Sequence, residues 1–307
     1  ASGTPVGDSF GVNQTPYGVQ SGSAVTGLEG GGFVAIWRSE GSAGNLDGAG
    51  GGSSDLGGQI FDAAGNKIGG EFVIHPDYAI YQNQHSPSVS ALKDGGFVVA
   101  WMDEGGDGNG VWIKQFDPSG NPTGDAIQPH TASGYWNPGP ITVSGLEDGG
   151  FIATWTTSNN FDGDSGKGIY GHRYDVNGAA LGDAFRINTT TSSDQEAPTV
   201  VGLANGGFAV AWESLAQDGH NEGIFGKTYG PSGDAVAART AYEQALTDAQ
   251  NAYDAALSSS VLVSYTIEDD DGATDTATAT VTVGAYEAPS DNVVTLTVDQ
   301  FGTHVAG

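Results

Sequence analysis

Three short segments carry oxygen ligands at the spacing a hard cation needs. They read Asp103-Glu104-Gly105-Gly106-Asp107-Gly108-Asn109-Gly110, Asp162-Gly163-Asp164-Ser165-Gly166 and Asp218-Gly219-His220-Asn221-Glu222. Calcium takes roughly six to eight oxygens in flexible geometry, and carboxylates two apart with glycine between them can wrap it. That makes Asp103, Asp107, Asn109, Asp162, Asp164 and Asp218 candidate ligands. A denser group, Glu268, Asp269, Asp270 and Asp271 with Asp275, would repel itself unless a cation sat among its carboxylates. None of these segments has the full EF-hand spacing, and Asp, Asn and Gly are also ordinary turn residues. Bound calcium and solvated hairpin turns are therefore both open readings.

Aligning the internal repeats exposes a second constellation. Gln20, Gln84, Asn137 and Gln195 stand three residues before Ser23, Pro87, Pro140 and Pro198, once per repeat. If each repeat presents this strand to a common axis, the four amides form a polar ring that could hold water, an ion or a polar ligand. They could equally satisfy backbone groups where repeats meet. The segments leading into that strand carry Tyr17, Tyr78, Tyr81, Tyr135 and Trp136. Aromatic faces beside amides suit sugar stacking, or else they cap the end of the fold.

Signatures of catalysis are sparse. His75, His85, His130, His172, His220 and His304 share no metal-ligand spacing, and there is no GxSxG elbow, phosphate loop or dinucleotide fingerprint. Carboxylates are abundant enough that composition leaves a glycosidase open, but nothing singles out one pair.

The elements that must position these residues come from a motif written four times. Gly31–Trp37, Gly95–Trp101, Gly149–Trp155 and Gly206–Trp212 all place Trp four residues after Phe, and Phe33, Phe97, Phe151 and Phe208 recur after 64, 54 and 57 residues. Each repeat holds short alternating segments between Gly, Asp or Asn turns, which predicts a four-stranded antiparallel meander. On one strand Phe151, Ala153 and Trp155 share a face, and that face should form the core between neighbouring sheets.

Small meanders repeated radially describe a β-propeller. The fourth repeat lacks its last strand, whereas the N-terminal segment Gly3–Val12 matches that strand in the other repeats. The expected fold is all-β: a four-bladed β-propeller over 1–235 closed by the N-terminal strand. A long α-helix over 236–258 and a small β-sandwich-like, cadherin-like module over 259–307 should follow it. The closing strand could belong to the same chain or to a neighbour. The Ala-rich helix, with Ala238, Tyr242, Ala245, Ala249, Ala252 and Ala256 on one stripe, is either a spacer or a pairing surface.

Net charge is −28 and there are no cysteines. The charge argues against nucleic acid and anionic membranes as partners and favours cations, or solubility in salty water. Absence of cysteine rules out disulfides and thiolate metal sites. No apolar run approaches the ~20 residues of a membrane span. The N-terminus, without Met or an apolar leader, predicts a processed chain or one cut from a longer protein.

The GGFVVAW unit, its Asp-Gly loop and the later Gly182-Asp183-Ala184-Phe185-Arg186-Ile187-Asn188-Thr189 resemble repeats of giant calcium-dependent surface and RTX-type adhesin-like proteins of Gram-negative bacteria. Tyr265 to Ala277 resembles the last hairpin of cadherin-like domains, without the strands that precede it there. The resemblance implies an extracellular, cell-surface location, calcium, and an adhesive or structural role. It transfers no catalytic residue. The resulting expectation is a non-enzymatic, calcium-stabilised surface or matrix protein that self-assembles by strand or helix exchange, with other surface chains or glycans as further partners. A carbohydrate-binding, lectin-like module stands second and a glycan-active hydrolase third.

Overall fold

The computed structural model describes residues 7–16, 18–40, 54–75, 83–104, 110–129, 139–157, 166–231, 244, 247, 248 and 251, with the backbone of 260–268 and 274–282. The chain divides into two compact units, Ala1–Ala235 and Val236–Gly307.

In the first unit each repeat folds into its own small antiparallel sheet. The first holds β1 (Val19–Gly27), β2 (Phe33–Glu40), β3 (Ser54–Phe61) and β4 (Lys67–Val73). The second holds β5 (Asn83–Ala91), β6 (Phe97–Glu104) and β7 (Gly110–Phe116), with isolated bridges Ile113–Ile127 and Phe116–Pro122 in place of a fourth strand. The third holds β8 (Ile141–Gly145), β9 (Phe151–Thr156), β10 (Ile169–Tyr174) and β11 (Phe185–Arg186). The fourth holds β12 (Gln195–Gly202), β13 (Phe208–Leu215) and β14 (Glu222–Tyr229). A single parallel bridge, Ser54 to Asn83, ties the first sheet to the second.

Strand periodicity decides how the sheets stack. Successive side chains of the second strand point to opposite faces. Phe97, Val99 and Trp101 pack against Val34, Ile36 and Leu56 of the first sheet, while Val98, Ala100 and Met102 pack against Phe151, Ala153 and Trp155 of the third. Phe208, Val210 and Trp212 in turn meet Ile152 and Ile169. The Phe–Trp face of each sheet thus points at the preceding repeat and the intervening residues point at the next. Trp101 and Trp155 are fully buried at these junctions, and removing such a side chain costs about 3–5 kcal/mol.

The glycine pair of the motif has a separate cause for each member. Gly95, Gly149 and Gly206 take φ of 89°, 88° and 84°, which an L side chain rarely adopts. The second glycine passes close to the next strand: a Cβ on Gly96, Gly150 or Gly207 would stand 2.3, 2.2 or 2.1 Å from the carbonyl oxygen of Phe116, Tyr174 or Tyr229.

Three parts of the expected fold need correction. Among the described residues the four sheets do not close into a propeller: apolar clusters join the first to the second, the second to the third and the third to the fourth, and none joins the fourth to the first. The described part of the N-terminal segment lies on the first sheet. There Phe10 packs on Phe61, and Gln14 and Thr15 bond the Glu71 carboxylate. Among the described residues β14 pairs only with β13. The long helix is not part of the described architecture either; only residues 244, 247, 248 and 251 of that stretch are described, with helical backbone. The second unit's described sheet is one hairpin, β15 (Ser260–Glu268) with β16 (Thr274–Thr282), rather than a sandwich.

Candidate functional site

The direction of the strands sorts the chain's connections to two ends. At one end the turns are short and self-contained: the Asp62 and Asp117 carboxylates each accept backbone N–H groups two and four residues on, together with the side-chain amide of Asn66 or Asn121. At the other end β2 leaves toward β3, β6 toward β7, β9 toward β10 and β13 toward β14, and the repeats connect to one another. Among the described residues, Asp103 and Glu104, the 218–222 turn and the amides Gln20, Gln84 and Gln195 belong to this second end.

The amides hold backbone at that end. Gln84 is buried; its Nε2 donates to the His75 carbonyl at 3.0 Å and its Oε1 accepts the Leu56 amide at 3.3 Å. Gln195 is also buried, and its Nε2 donates to the Ser192 carbonyl at 3.3 Å. Gln20 donates to the Ser39 hydroxyl at 3.0 Å. First strands of neighbouring sheets are themselves stitched by serines: Ser88 Oγ and Ser90 Oγ accept the Val143 and Gly145 amides, and Ser144 Oγ accepts that of Gly202. Gln84 thus ties β5 to the first sheet and to the chain leading into it, Gln195 holds the segment before β12, and Gln20 bonds within its own sheet. Asn137 lies outside the described residues.

A feature the sequence reading missed sits beside each glutamine. Gly22, Ser86 and Ala197 occupy the same place in β1, β5 and β12, with φ of 58°, 53° and 49°. Strand register slips there, between Ser21 and Ala24, His85 and Ser88, and Glu196 and Thr199. Each bulge turns the start of its strand and re-aims the side chains around it. The sequence hint was the small residue two places after each glutamine.

Among the candidate cation ligands, Asp103 is buried at the end of β6, opposite Gln84 in register. Asp218 accepts the His220 amide at 3.0 Å in an exposed turn. Asp55, unremarked in the sequence, is also buried. Alternation along β3 sets it on the face opposite Leu56, whereas Asp103 shares the Trp101 face that meets Leu56, so the two carboxylates do not face one another. Among the described residues no group of three or more His, Cys, Asp or Glu could hold a metal ion. Asp107, Asn109, Asp162, Asp164, Asp269, Asp270, Asp271, Tyr17, Tyr78, Tyr81, Tyr135 and Trp136 lie outside the described residues. Glu268 and Asp275 are described in backbone only, both at the turn end of the β15–β16 hairpin, where Glu268 pairs with Thr274 and Asp275 with Ile267.

The indoles of the repeated motif form another set. Trp37, Trp101, Trp155 and Trp212 each bury an Nε1–H that has no acceptor among the described residues. His75 packs between two rings of the second sheet, Trp101 at 5.7 Å and Trp112 at 6.0 Å between centroids.

No family model matches the chain, and no curated protein does. Solved structures do. A GH43 endo-arabinanase from Bacillus licheniformis is similar at 15% identity and TM-score 0.40, over 69% of this chain and 74% of that one. An α-L-arabinanase from Penicillium chrysogenum complexed with arabinobiose is similar at 13% identity and TM-score 0.44, over 69% and 58%. A calcium-binding protein, regucalcin, from Agrobacterium tumefaciens is similar at 12% identity and TM-score 0.32, over 66% and 60%. At these values no residue role is carried across. The expectation of a non-enzymatic adhesive or matrix protein is not met among these structures. Glycoside hydrolases recur among the similar structures, and the adhesin, RTX-like and cadherin-like descriptions find no support there.

Proposed function

We propose that the chain is a glycan-active hydrolase whose working face is the end bearing the long connections. One observation carries this reading: Asp103, Glu104 and Asp218 stand with the repeated amides at a single end of the stack, while the opposite end spends Asp62 and Asp117 on its own turns. Glycoside hydrolysis needs two carboxylates and a surface that holds sugar rings. Asp103, buried beside the Trp101 face, is the described carboxylate assigned here as one member of the pair. The second comes from the acidic segments at Asp107 or at Asp162 and Asp164. Tyr78, Tyr81, Tyr135 and Trp136 supply stacking faces for the glycan. Calcium, held by the remaining carboxylates of those segments, organises this end, in keeping with the high negative charge and with the calcium-dependent proteins whose repeats these resemble. The setting is extracellular, where polymeric glycans occur.

The test is release of oligosaccharides from arabinan, arabinoxylan and xylan, with calcium and then with a chelator. Activity that falls about 100-fold or more in Asp103→Asn, with the fold retained, is the expected result. Glycan binding without release would replace this reading by a lectin-like one. No binding and no release from any of these glycans would overturn it.

A further inference from the structure

The first and fourth sheets each leave apolar residues exposed on the face that has no neighbouring sheet among the described residues. Register across each sheet makes Ile224 of β14 equivalent to Leu56, Val111 and Ile169, since these residues precede the partners of Trp212, Trp37, Trp101 and Trp155. The three equivalents are 0% exposed, buried under the following sheet, whereas Ile224 is 75% exposed. On the same face of the fourth sheet Val201 is also exposed, facing away from the third sheet together with Ala209.

The first sheet shows the converse. Val25 of β1 pairs with Ala35 as Val143 pairs with Ala153 and Val200 with Val210. Val143 and Val200 pack against the preceding sheet, whereas Val25 is 66% exposed beside a cavity of about 430 Å3 that Phe33, Ala35 and Trp37 also line.

Phe10 decides what fits there. At the internal junctions an aromatic from the fourth strand of the preceding sheet leans over a stacked pair: Phe72 over Phe97 and Phe116, Phe185 over Phe208 and Tyr229. Phe10 does the same over the stacked Phe33 and Phe61. The fourth-strand position of an incoming sheet is therefore already filled, which leaves room for a sheet of three strands. Among the described residues the fourth sheet has three.

We propose that the occupant is a second copy of this chain. The fourth sheet of one molecule, through Ile224 and Val201, stacks on the first sheet of another, against Val25, Phe33 and Trp37, and continues the repeat interface between molecules. The contact is head to tail, so each molecule presents both halves. This inference is independent of the hydrolase reading, and its test does not use glycans.

The experiment is light scattering with size-exclusion chromatography, over a protein concentration series in salt high enough to screen the net charge of −28. The intact chain should form dimers or larger species. Ile224→Asp and Val25→Asp should each weaken association by more than about 100-fold, because each places an unpaired charge in the buried contact. Since each variant spoils a different half, mixing the two should restore a one-to-one heterodimer through the remaining intact halves. Circular dichroism and thermal unfolding of each variant report whether it is folded, and Ile224→Ser and Val25→Ser replace any variant that is not. A monomer at every concentration would overturn the proposal. So would association that both variants leave unchanged, or a mixture that stays monomeric.

Discussion

Phe10 stands 5.5 Å from Phe61, tilted by 48°, almost as Phe72 stands 5.9 Å from Phe116 at the same tilt. Gly65 lies under Phe10 as Gly120 lies under Phe72. The N-terminal segment thus occupies a place built by the repeat. Phe10 remains half exposed, so Phe10→Ala should cost only about 1 kcal/mol in urea unfolding, less than a fully buried aromatic. The larger effect should be local. Proteolytic cleavage between Gly7 and Pro16 should accelerate while the sheet core stays resistant. Equal cleavage rates in Phe10→Ala and the intact chain would show that the segment is held by its Glu71 and Gln59 hydrogen bonds instead.

The short-turn end gives the fold a defined response to acid. The Asn121 side-chain amide, aided by backbone N–H groups, holds the Asp117 carboxyl below the usual carboxylate range, and Asn66 does the same for Asp62. A folded-state pKa that is depressed contributes stability above the unfolded value of about 3.9. That contribution is lost as pH falls through the folded value. Asn121→Ala should therefore raise the Asp117 pKa in an NMR titration. It should also lower stability at pH 7 while leaving stability well below the folded pKa nearly unchanged. A destabilisation of equal size at both pH values would mean that Asn121 acts through packing alone.

Much of this architecture was legible because the repeat is written in large apolar residues. The four Phe–Trp units mark the second strands, and a period of two sends each side chain to the correct face. Closure was not legible. Gly3 to Val12 matches a fourth strand by composition, but composition says nothing about which edge it meets, and Phe10 finds its counterpart on the first sheet. Nor could turn-forming aspartates be told from ligands: Asp62 and Asp117 cap their own turns, and the same residue types fill the acidic segments at the other end. The amides were found by alignment, but their work on loop carbonyls depends on chain geometry that spacing does not encode.

The bulges beside those amides offer the sharpest test of how the long-connection end is shaped. Ser86 and Ala197 hold left-handed backbone, where a non-glycine residue costs on the order of 1–3 kcal/mol, while the first repeat uses Gly22. Ser86→Gly and Ala197→Gly should each relieve part of that strain and stabilise the fold by about 0.5–1 kcal/mol, after the entropy glycine adds to the unfolded chain. Gly22→Ala should destabilise by about 1 kcal/mol, although its added Cβ would meet nothing within 4 Å. Chemical denaturation of the three variants reads both signs in one experiment. Opposite signs would show that backbone conformation, not side-chain contact, sets the cost of aiming Gln84 and Gln195. A loss of stability in both glycine variants would instead assign the bulges to the Ser86 hydroxyl, 3.0 Å from His85 Nδ1, and to packing of the Ala197 methyl.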